Sequence, residues 1–182
     1  MLYTRNGDEG NTGLYGTSER IPKDHPIFEA LGSIDELNAL TGLCGAYLRE
    51  HNHGTPDYAG ELCGVQEALF IAQAQLAGAD KCITQKHIDI IERAVADIET
   101  NIQKPTSFII PGATVLSALF DCARTIARRT ERAVVNAQVD RGQSKELRAY
   151  LNRLSSFFYA LARDAAQRAN IAEHAPTYTL AP

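Results

Sequence analysis

Residues 113–139 have the sequence ATVLSALFDCARTIARRTERAVVNAQV, and placing them on an α-helix separates their side chains into two faces. One face is apolar and consists of Leu116, Leu119, Phe120, Ala123, Ile126, Ala127 and Val134. The neighbouring face carries four guanidinium groups, with the carboxylate of Glu131 at its border. The four arginines are Arg124, Arg128, Arg129 and Arg132. This division predicts an amphipathic helix over Ala113–Val139 that packs on one side and presents cations on the other.

The same helical period continues over most of the chain. Apolar residues recur at spacings of three and four in four more segments, with predicted bounds Pro26–Glu50, Asp57–Ala79, Gln85–Gln103 and Ser144–Asn170. Glycine, proline and short polar residues separate these segments. Five helices with short connections and almost no strand pattern predict an all-α fold, a ferritin-like five-helix bundle.

Three other stretches have no helical period. Residues 1–24 predict an irregular glycine-rich loop, with at most one short strand or turn. Residues 107–112 form an apolar run that is too short for a helix and too isolated for a sheet. The tail over 172–182 ends in eight residues that include two prolines and have little to pack. We therefore expect residues 1–182 to form one domain, with a loop over 1–24, a bundle over 25–171 and a tail over 172–182.

Composition narrows the function classes. The chain has 182 residues, of which 45% are hydrophobic and 22% charged, as in ordinary globular proteins. Eighteen Lys and Arg against 22 Asp and Glu give a net charge of −4, which disfavours general nucleic-acid binding. The sequence has no long apolar run and no signal region, which predicts a cytoplasmic protein without a membrane segment. Its four cysteines lack a C-x-x-C pair, and we expect buried, reduced thiols.

The arginine face of residues 113–139 has two interpretations. A solvated surface is the ordinary one, but surface helices usually alternate acidic and basic residues, and this face is almost entirely Arg. Guanidinium groups bind phosphate and carboxylate in a bidentate manner. Four like charges this close would repel one another unless an anion met them, so an anion-binding face remains the alternative interpretation.

The N-terminal loop is a second candidate for anion binding. Gly7, Gly10, Gly13 and Gly16 recur at every third position, and glycine allows backbone N–H groups to converge on phosphate oxygens. Side-chain donors are available from Thr4, Arg5 and Thr12, and Lys23 adds a point charge. The loop is not a Walker motif, because no Gly-Lys-Ser/Thr follows it.

Other polar residues remain ambiguous from sequence alone. Asp35 borders the apolar stripe of the first helix, and Asn152 lies within the fifth helix, where either could make a helix–helix contact or bind a ligand. The sequence has neither the paired Glu-x-x-His of a di-iron bundle nor a zinc spacing of histidines. It also has no Gly-x-Ser-x-Gly elbow.

Several separated motifs resemble those of the PduO-type ATP:corrinoid adenosyltransferases. They are YTRNGDEG with TGL at residues 3–14, PKD at 22–24, GSIDELN at 32–38, FIIPG at 108–112, AR at 123–124 with RRTER at 128–132, and YLNRLS at 150–155. Their order and spacing cover nearly the whole chain, from Tyr3 to about Arg163. The sequence is therefore similar to that family throughout the predicted bundle.

The resemblance implies a homotrimer that holds ATP between neighbouring subunits and transfers its 5′-deoxyadenosyl group to cob(I)alamin, with Mg²⁺ on the triphosphate. It implies catalytic roles for Arg128, Glu131 and Arg132. It implies ATP contacts from these residues and from Thr4, Arg5, Asn6, Gly7, Thr12, Gly13, Lys23, Arg129 and Asn152. It also implies a pair of Asp35 and Arg124 across the subunit interface.

On the corrinoid side, the resemblance implies that Phe108 covers the lower face of the corrin. Two departures from the family pattern, Ala113 in place of a second glycine and Ser156 in place of an aspartate, lie outside the nucleotide motif. The short tail supplies no obvious aromatic to close the corrin site. Implied partners are a corrinoid reductase or an adenosylcobalamin-dependent enzyme. The alternative function is a non-catalytic nucleotide-binding trimer that senses ATP or delivers the cofactor.

Overall fold

The computed structural model describes residues 3–51, 58–137 and 144–179. Over these ranges the chain forms five helices: α1 Pro26–His51, α2 Ala59–Leu76, α3 Gln85–Glu99, α4 Val115–Asn136 and α5 Lys145–Arg168. Two strands of two residues each, β1 Asn11–Thr12 and β2 Ile21–Pro22, pair antiparallel within the N-terminal loop. The predicted all-α five-helix fold is confirmed, with this small sheet added to it.

Helix α5 lies at the centre of the bundle. Its side chains are buried on almost every side in its second half, where residues 160–166 are all buried. Helices that are buried all round are core elements, in contrast to α3 and α4, which have one buried face. The largest fully buried apolar side chains are contributed mostly by α1, α4 and α5, and include Ile27, Ile34, Phe120, Tyr150, Phe157 and Phe158. Burial of these side chains is the main stabilising term of the fold.

Side-chain contacts define the helix directions. The hydroxyl of Thr130 on α4 donates to the carbonyl of Ser33 on α1 over 2.9 Å, and Arg129 pairs with Glu36, so α1 and α4 are antiparallel. Helices α4 and α5 are also antiparallel, since Arg163 contacts Asp121 whereas residues near the end of α4 contact the first half of α5. The N-terminal loop, which precedes α1, therefore leaves the bundle at the end of α4 nearest Arg132.

The helix ends differ from the predicted bounds because short polar residues cap them. Helix α3 ends at Glu99 rather than Gln103, since the side chains of Thr100 and Asn101 both donate to the carbonyl of Asp97. Helix α4 begins at Val115 rather than Ala113, because Thr114 is its N-cap. Each cap satisfies a backbone group that the helix leaves unpaired.

The observed ends of α5 and α2 also differ from the predicted bounds. Ser144 is the N-cap of α5, which runs to Arg168 rather than Asn170, and Asn170 takes a left-handed φ of 54°. Helix α2 ends at Leu76 rather than Ala79, just before Gly78 with a φ of 89°. The predicted start of α2 at Asp57 and the predicted end of α4 at Val139 lie outside the described residues.

The cysteine prediction was wrong for three of the four thiols. Cys44 is buried, and burial raises its pKa to about 12, whereas Cys63, Cys82 and Cys122 are exposed. All four are free thiols. Cys63 and Cys122 lie on helices but outside the buried stripes, and the loop residue Cys82 follows α2. Among the helices of the described ranges, none combines the length and the apolar content that crossing a bilayer requires.

We predict that Thr114→Ala lowers the free energy of unfolding by about 1 kcal/mol, measured by urea denaturation. The Thr114 hydroxyl oxygen accepts a hydrogen bond from the Ser117 amide over 3.0 Å, and alanine cannot replace it. The matched control is Thr125→Ala at an exposed position of the same helix, where we expect a change within about 0.5 kcal/mol. Equal losses in the two variants would contradict a capping role for Thr114.

Candidate functional site

The arginine face of α4 contains two paired and two unpaired guanidinium groups. Arg124 is half-buried and pairs with Asp121 over 3.0 Å, and Arg129 pairs with Glu36 of α1. Arg128 and Arg132 are exposed and make no ion pair or hydrogen bond within the described residues. The sequence reasoning overlooked Asp121 and Glu36, so the expected repulsion is partly relieved within the chain. The two unpaired cations remain available to an anion.

Three adjoining clefts run along this face, and together we call them the α4 groove. The first, of about 350 Å³, is lined by Arg128, Glu131, Arg132, Val135 and Asn136. The second, of about 470 Å³, lies between α3, α4 and α5, and Lys104 joins Arg124 and Arg128 in its wall. The third, of about 540 Å³, has Phe108, Arg124, Tyr159 and Arg163 in its wall. Arg128 lines the first two clefts and Arg124 the last two, so the groove leads from the free cations to Phe108.

A polar network fixes the side chains beside the first cleft. The Asn152 amide nitrogen donates to Glu131 Oε1 over 3.0 Å, which brings together two residues that the sequence had predicted for nucleotide binding. The Asn152 amide oxygen in turn accepts from Arg153 over 2.9 Å, and Arg153 Nε donates to Glu92 over 2.7 Å. Since its oxygen faces Arg153, the Asn152 amide has one favoured orientation. Sequence reasoning missed the contributions of Arg153 and Glu92.

A buried charge cluster lies beneath the third cleft. The Arg163 side chain is 1% exposed and pairs with Asp121 over 2.5 Å and with Glu173 over 3.1 Å. Asp121 therefore contacts two guanidinium groups, those of Arg163 and Arg124. A buried cation requires such partners, because an unpaired charge in the interior is costly. The cluster holds the Arg124 side chain in the wall of the groove.

Phe108 is at the tip of the loop that connects α3 to α4. Its side chain is 80% exposed, although phenylalanine is usually buried. The base of the loop is held by α5, where the Gln167 amide accepts from Gln103 N and donates to Gln103 O, each over 2.8 Å. As predicted, residues 107–112 form neither helix nor strand. The loop presents an aromatic ring on a fixed base.

The N-terminal loop is folded around backbone carbonyls and two cations. Arg20 Nη2 donates to the carbonyls of Asn6 and Asn11, the latter over 2.6 Å. Lys23 Nζ lies against Gly7, where an added Cβ would be 2.8 Å from the nitrogen, so a larger residue at position 7 would displace the end of the lysine side chain. The structure thus brings together Gly7 and Lys23 as the sequence suggested, and it adds Arg20, which sequence reasoning missed.

The other predicted residues of this loop lie close by. The Thr4 hydroxyl oxygen accepts from the Asn6 amide over 3.4 Å, and Arg5 has a left-handed φ of 61° with its guanidinium 5.6 Å from the Tyr3 ring. Thr12 is in β1, directly before the exposed Gly13. Thr4, Arg5 and Asn6 are exposed, so their donors face solvent in the isolated chain.

Within one chain, the loop does not reach the α4 groove. All residues that line the three clefts lie between Val95 and Arg163. Asp35 is exposed on α1, and Arg124 has its partner Asp121 in the same chain. The predicted pair of Asp35 and Arg124 between subunits therefore remains a prediction. In the described residues, no three His, Cys, Asp or Glu side chains are grouped so that they could hold a metal ion.

The fold and the groove define a helical bundle with a cationic face suited to an anionic ligand. A family model described as cobalamin adenosyltransferase matches residues 2–165, and the chain belongs to that family. It is 37% identical over 169 residues to corrinoid adenosyltransferase PduO of Salmonella typhimurium, covering 89% of this chain and 48% of that protein. It is also 37% identical to a corrinoid adenosyltransferase of Bacillus subtilis, covering 94% of this chain and 90% of that protein.

The chain thus spans about half the length of the Salmonella protein and most of the length of the Bacillus protein. Among solved structures, it is similar to a variant PduO-type ATP:corrinoid adenosyltransferase from Lactobacillus reuteri complexed with cobalamin and ATP. That match has a TM-score of 0.89 at 28% identity and covers 98% of this chain and 97% of the other. The similarity extends over all five helices, which confirms the family suggested by the sequence motifs.

We predict that Asp121→Asn lowers the free energy of unfolding by about 3 kcal/mol, because it leaves the buried Arg163 with less compensating charge. The matched control is Glu36→Gln, which removes a carboxylate from an exposed pair with Arg129 and should cost less than about 1 kcal/mol. Urea denaturation of the two variants at one protein concentration measures the difference. Similar small losses would show that Asp121 does not neutralise a buried charge.

Proposed function

We propose that this protein transfers the 5′-deoxyadenosyl group of ATP to cob(I)alamin, forming adenosylcobalamin and releasing triphosphate. The observation that carries the proposal is the α4 groove, which connects unpaired guanidinium groups at one end with an exposed aromatic ring at the other. Polyphosphate requires cations, and a corrin ring requires an apolar surface. The solved relative that holds ATP and cobalamin together supports this pairing of ligands.

The reaction needs positioning and charge stabilisation rather than a protein nucleophile. The cobalt(I) electron pair attacks C5′ of ATP, the cobalt–carbon bond forms, and the C5′–oxygen bond breaks with its electron pair leaving on triphosphate. We assign Arg128 and Arg132 to the triphosphate, because both are exposed and make no ion pair with any described residue. Guanidinium groups stabilise the negative charge that accumulates on the leaving group.

We assign Glu131 and Asn152 to the adenosine end of the nucleotide. The two side chains already contact each other over 3.0 Å, so they form one polar surface at the edge of the first cleft. Arg153 donates a hydrogen bond to the Asn152 amide oxygen, so the amide nitrogen is oriented toward Glu131 at the edge of the cleft. Arg129 is assigned a supporting ATP contact, since its pair with Glu36 is exposed and open to exchange.

Mg²⁺ would be bound mainly by the triphosphate. The described residues contain no group of three metal-binding side chains, and Mg²⁺ usually keeps several waters and binds nucleotides through phosphate oxygens. When bound, it would neutralise part of the triphosphate charge beside Arg128 and Arg132. This arrangement needs no dedicated cage of protein carboxylates.

We further propose a homotrimer in which the N-terminal loop of a neighbouring copy covers the triphosphate. The loop does not line the α4 groove of its own chain, and the groove is open at its cationic end. The residues that would contact the nucleotide across the interface are Thr4, Arg5, Asn6, Gly7, Thr12, Gly13 and Lys23. The exposed Asp35 would meet Arg124 of a neighbouring copy, since Arg124 uses only its Nε for Asp121.

On the corrinoid side, we propose that Phe108 covers the lower face of the ring. Its 80% exposure leaves the aromatic surface free for a flat apolar ligand. An apolar group below cobalt disfavours an axial water and so favours the four-coordinate state.

We also propose that the 182 residues act as one cytoplasmic domain. This domain would receive a corrinoid from a reductase or pass the product to an adenosylcobalamin-dependent enzyme.

The first test mixes the protein with ATP and chemically reduced cob(I)alamin and follows the absorbance of the new cobalt–carbon bond. We expect Arg128→Ala to lower the rate by about 10²–10³, because it removes one donor to the leaving group. The matched control is Arg93→Ala, at an exposed arginine of α3 that lies outside the α4 groove, which should retain the rate. Turnover of Arg128→Ala near that of the control would contradict the assigned role.

The same assay separates catalysis from simple nucleotide binding. If the protein is a non-catalytic ATP-binding trimer, ATP will raise its melting temperature without any cobalt–carbon product. A melting temperature that does not respond to ATP, together with no product, would refute both functions.

The second test replaces Phe108. We expect Phe108→Ala to reduce the fraction of four-coordinate Co(II)alamin in the ATP complex, measured by magnetic circular dichroism or electron paramagnetic resonance, because water can then reach cobalt. The matched control is Phe70→Ala, an exposed phenylalanine of α2 that lines none of the three clefts. Unchanged spectra in Phe108→Ala would mean that another group covers this face.

A further inference from the structure

The chain after α5 folds back across the loop that carries Phe108. Asn170 takes a left-handed φ of 54°, and the Ile171 amide donates to the carbonyl of Ala166 over 3.1 Å, so the chain reverses at the end of the helix. Three residues after Ile171, the His174 carbonyl accepts a hydrogen bond from the Ile110 amide over 2.9 Å. This contact lies two residues from Phe108 and joins the tail to the loop.

The returning segment is anchored by Glu173. The Glu173 side chain is only 8% exposed and lies 3.1 Å from Arg163, whose own side chain is 1% exposed. Arg163 also pairs with Asp121, which pairs with Arg124 in the wall of the α4 groove. The anchor of the tail is therefore the same buried cluster that holds the groove.

His174, the residue after Glu173, connects the Glu173 carboxylate to the loop that carries Phe108. His174, which bonds to the loop, directly follows Glu173, so any movement of Glu173 out of the cluster also moves the carbonyl that holds Ile110. Residues 175 and 177–179 of the tail are exposed, which leaves Glu173 as its buried side chain near the loop. The sequence pattern gave no indication that Glu173 and His174, which precede the proline-containing end of the tail, make these contacts.

The shape of the buried side chain matters more at this anchor than its charge. Burial raises the pKa of Glu173 above its usual value, with the attraction of Arg163 opposing that change. The ionised carboxylate therefore gains no net stabilisation from its position, as is common for buried ion pairs. A neutral side chain of the same shape should hold the tail equally well, whereas a cation beside Arg163 should expel it.

We propose that Glu173 is a positioning residue for Phe108: by anchoring the tail on Arg163, it holds the His174 carbonyl against Ile110 and thereby fixes the loop that covers the corrin. This inference rests on the proposed function for its catalytic consequence. Its structural part, the coupling of Glu173 to the 107–112 loop, is independent of any substrate.

Hydrogen–deuterium exchange of the ligand-free full chain tests the structural part. We expect Glu173→Lys, and to a lesser degree Glu173→Ala, to increase the exchange rate of the peptide containing the Ile110 amide by about tenfold, as for the loss of one hydrogen bond. Glu173→Gln should stay close to the wild-type rate, because glutamine keeps the size and shape of the buried side chain. The matched control is Asp164→Asn, which removes a buried carboxylate at the position directly after Arg163. Asp164 contacts Tyr58 and Arg168 rather than Arg163.

The outcomes separate cleanly. Faster exchange at 106–113 in Glu173→Lys and Glu173→Ala, but not in Glu173→Gln or Asp164→Asn, supports the proposal. Unchanged exchange in Glu173→Lys overturns it. An equal increase in Asp164→Asn also overturns it, because the effect would then be a general loosening of the bundle.

Kinetics test the catalytic consequence. In Glu173→Lys we expect a higher KM for cob(I)alamin, little change in the KM for ATP, and a smaller four-coordinate Co(II) fraction. If Glu173 acts through Phe108, adding Glu173→Lys to Phe108→Ala should change that fraction no further. A further loss in the double variant would overturn the proposed route. Absence of product with the wild-type protein would refute the proposed function, whereas the exchange measurement would still decide the positioning of the loop.

Discussion

The structure depends on the neutralisation of one cation in its interior, the guanidinium group of Arg163. It lies on the central helix α5 at 1% exposure, where an unpaired charge would be very costly. The carboxylate of Asp121 on α4 neutralises this charge. The two groups meet only when α4 and α5 pack antiparallel in the observed register. A shift of one turn between the helices would separate the two groups, so the pair specifies the packing of the bundle as well as its charge balance.

Asp121 also connects the buried Arg163 to the α4 groove. Asp121 has a second partner in Arg124, whose side chain is thereby held in the wall of the α4 groove. Four residues further along the helix, Arg128 has no carboxylate partner among the described residues and lines the first and second clefts. Arginines of one helix thus have different surroundings: Arg124, which is paired, forms part of the groove wall, whereas Arg128 is available to a ligand. A count of charges on the helix would not distinguish them.

The sequence pattern predicted what depends on local periodicity. All five helices follow from apolar spacing, and the motifs pointed to the family that the whole-chain comparisons then confirmed. Glu131 and Asn152, assigned to one ligand from separate motifs, are in contact. The buried cluster was not predicted, because Asp121 and Arg163 lie in helical segments where charged residues usually face solvent. The interior position of a charge depends on which helices meet, and this information is not local to either segment.

Tertiary contacts also explain the remaining errors. The ends of α3 and α4 are set by side chains of Thr100, Asn101 and Thr114, which compete with the helix for backbone groups. Glu173 lies beyond the predicted bundle, where no periodic pattern indicates a contact, and the reversal of the chain at Asn170 brings it to Arg163. The proposed contact between neighbouring copies depends on surfaces that a single chain does not complete.

The helical geometry of α4 has a consequence for the proposed selection of ligands. Arg124 and Arg132 are eight residues apart on one helix, a separation of about 12 Å at 1.5 Å per residue. Because the backbone hydrogen bonds of a helix fix this rise, the positions of the two arginines along the groove are fixed relative to each other. Under the proposed function, a molecule whose charged and reactive parts are spaced differently would occupy one end of the groove and leave the other empty. The backbone of α4 would then select ligands by length before any side chain recognises a chemical group.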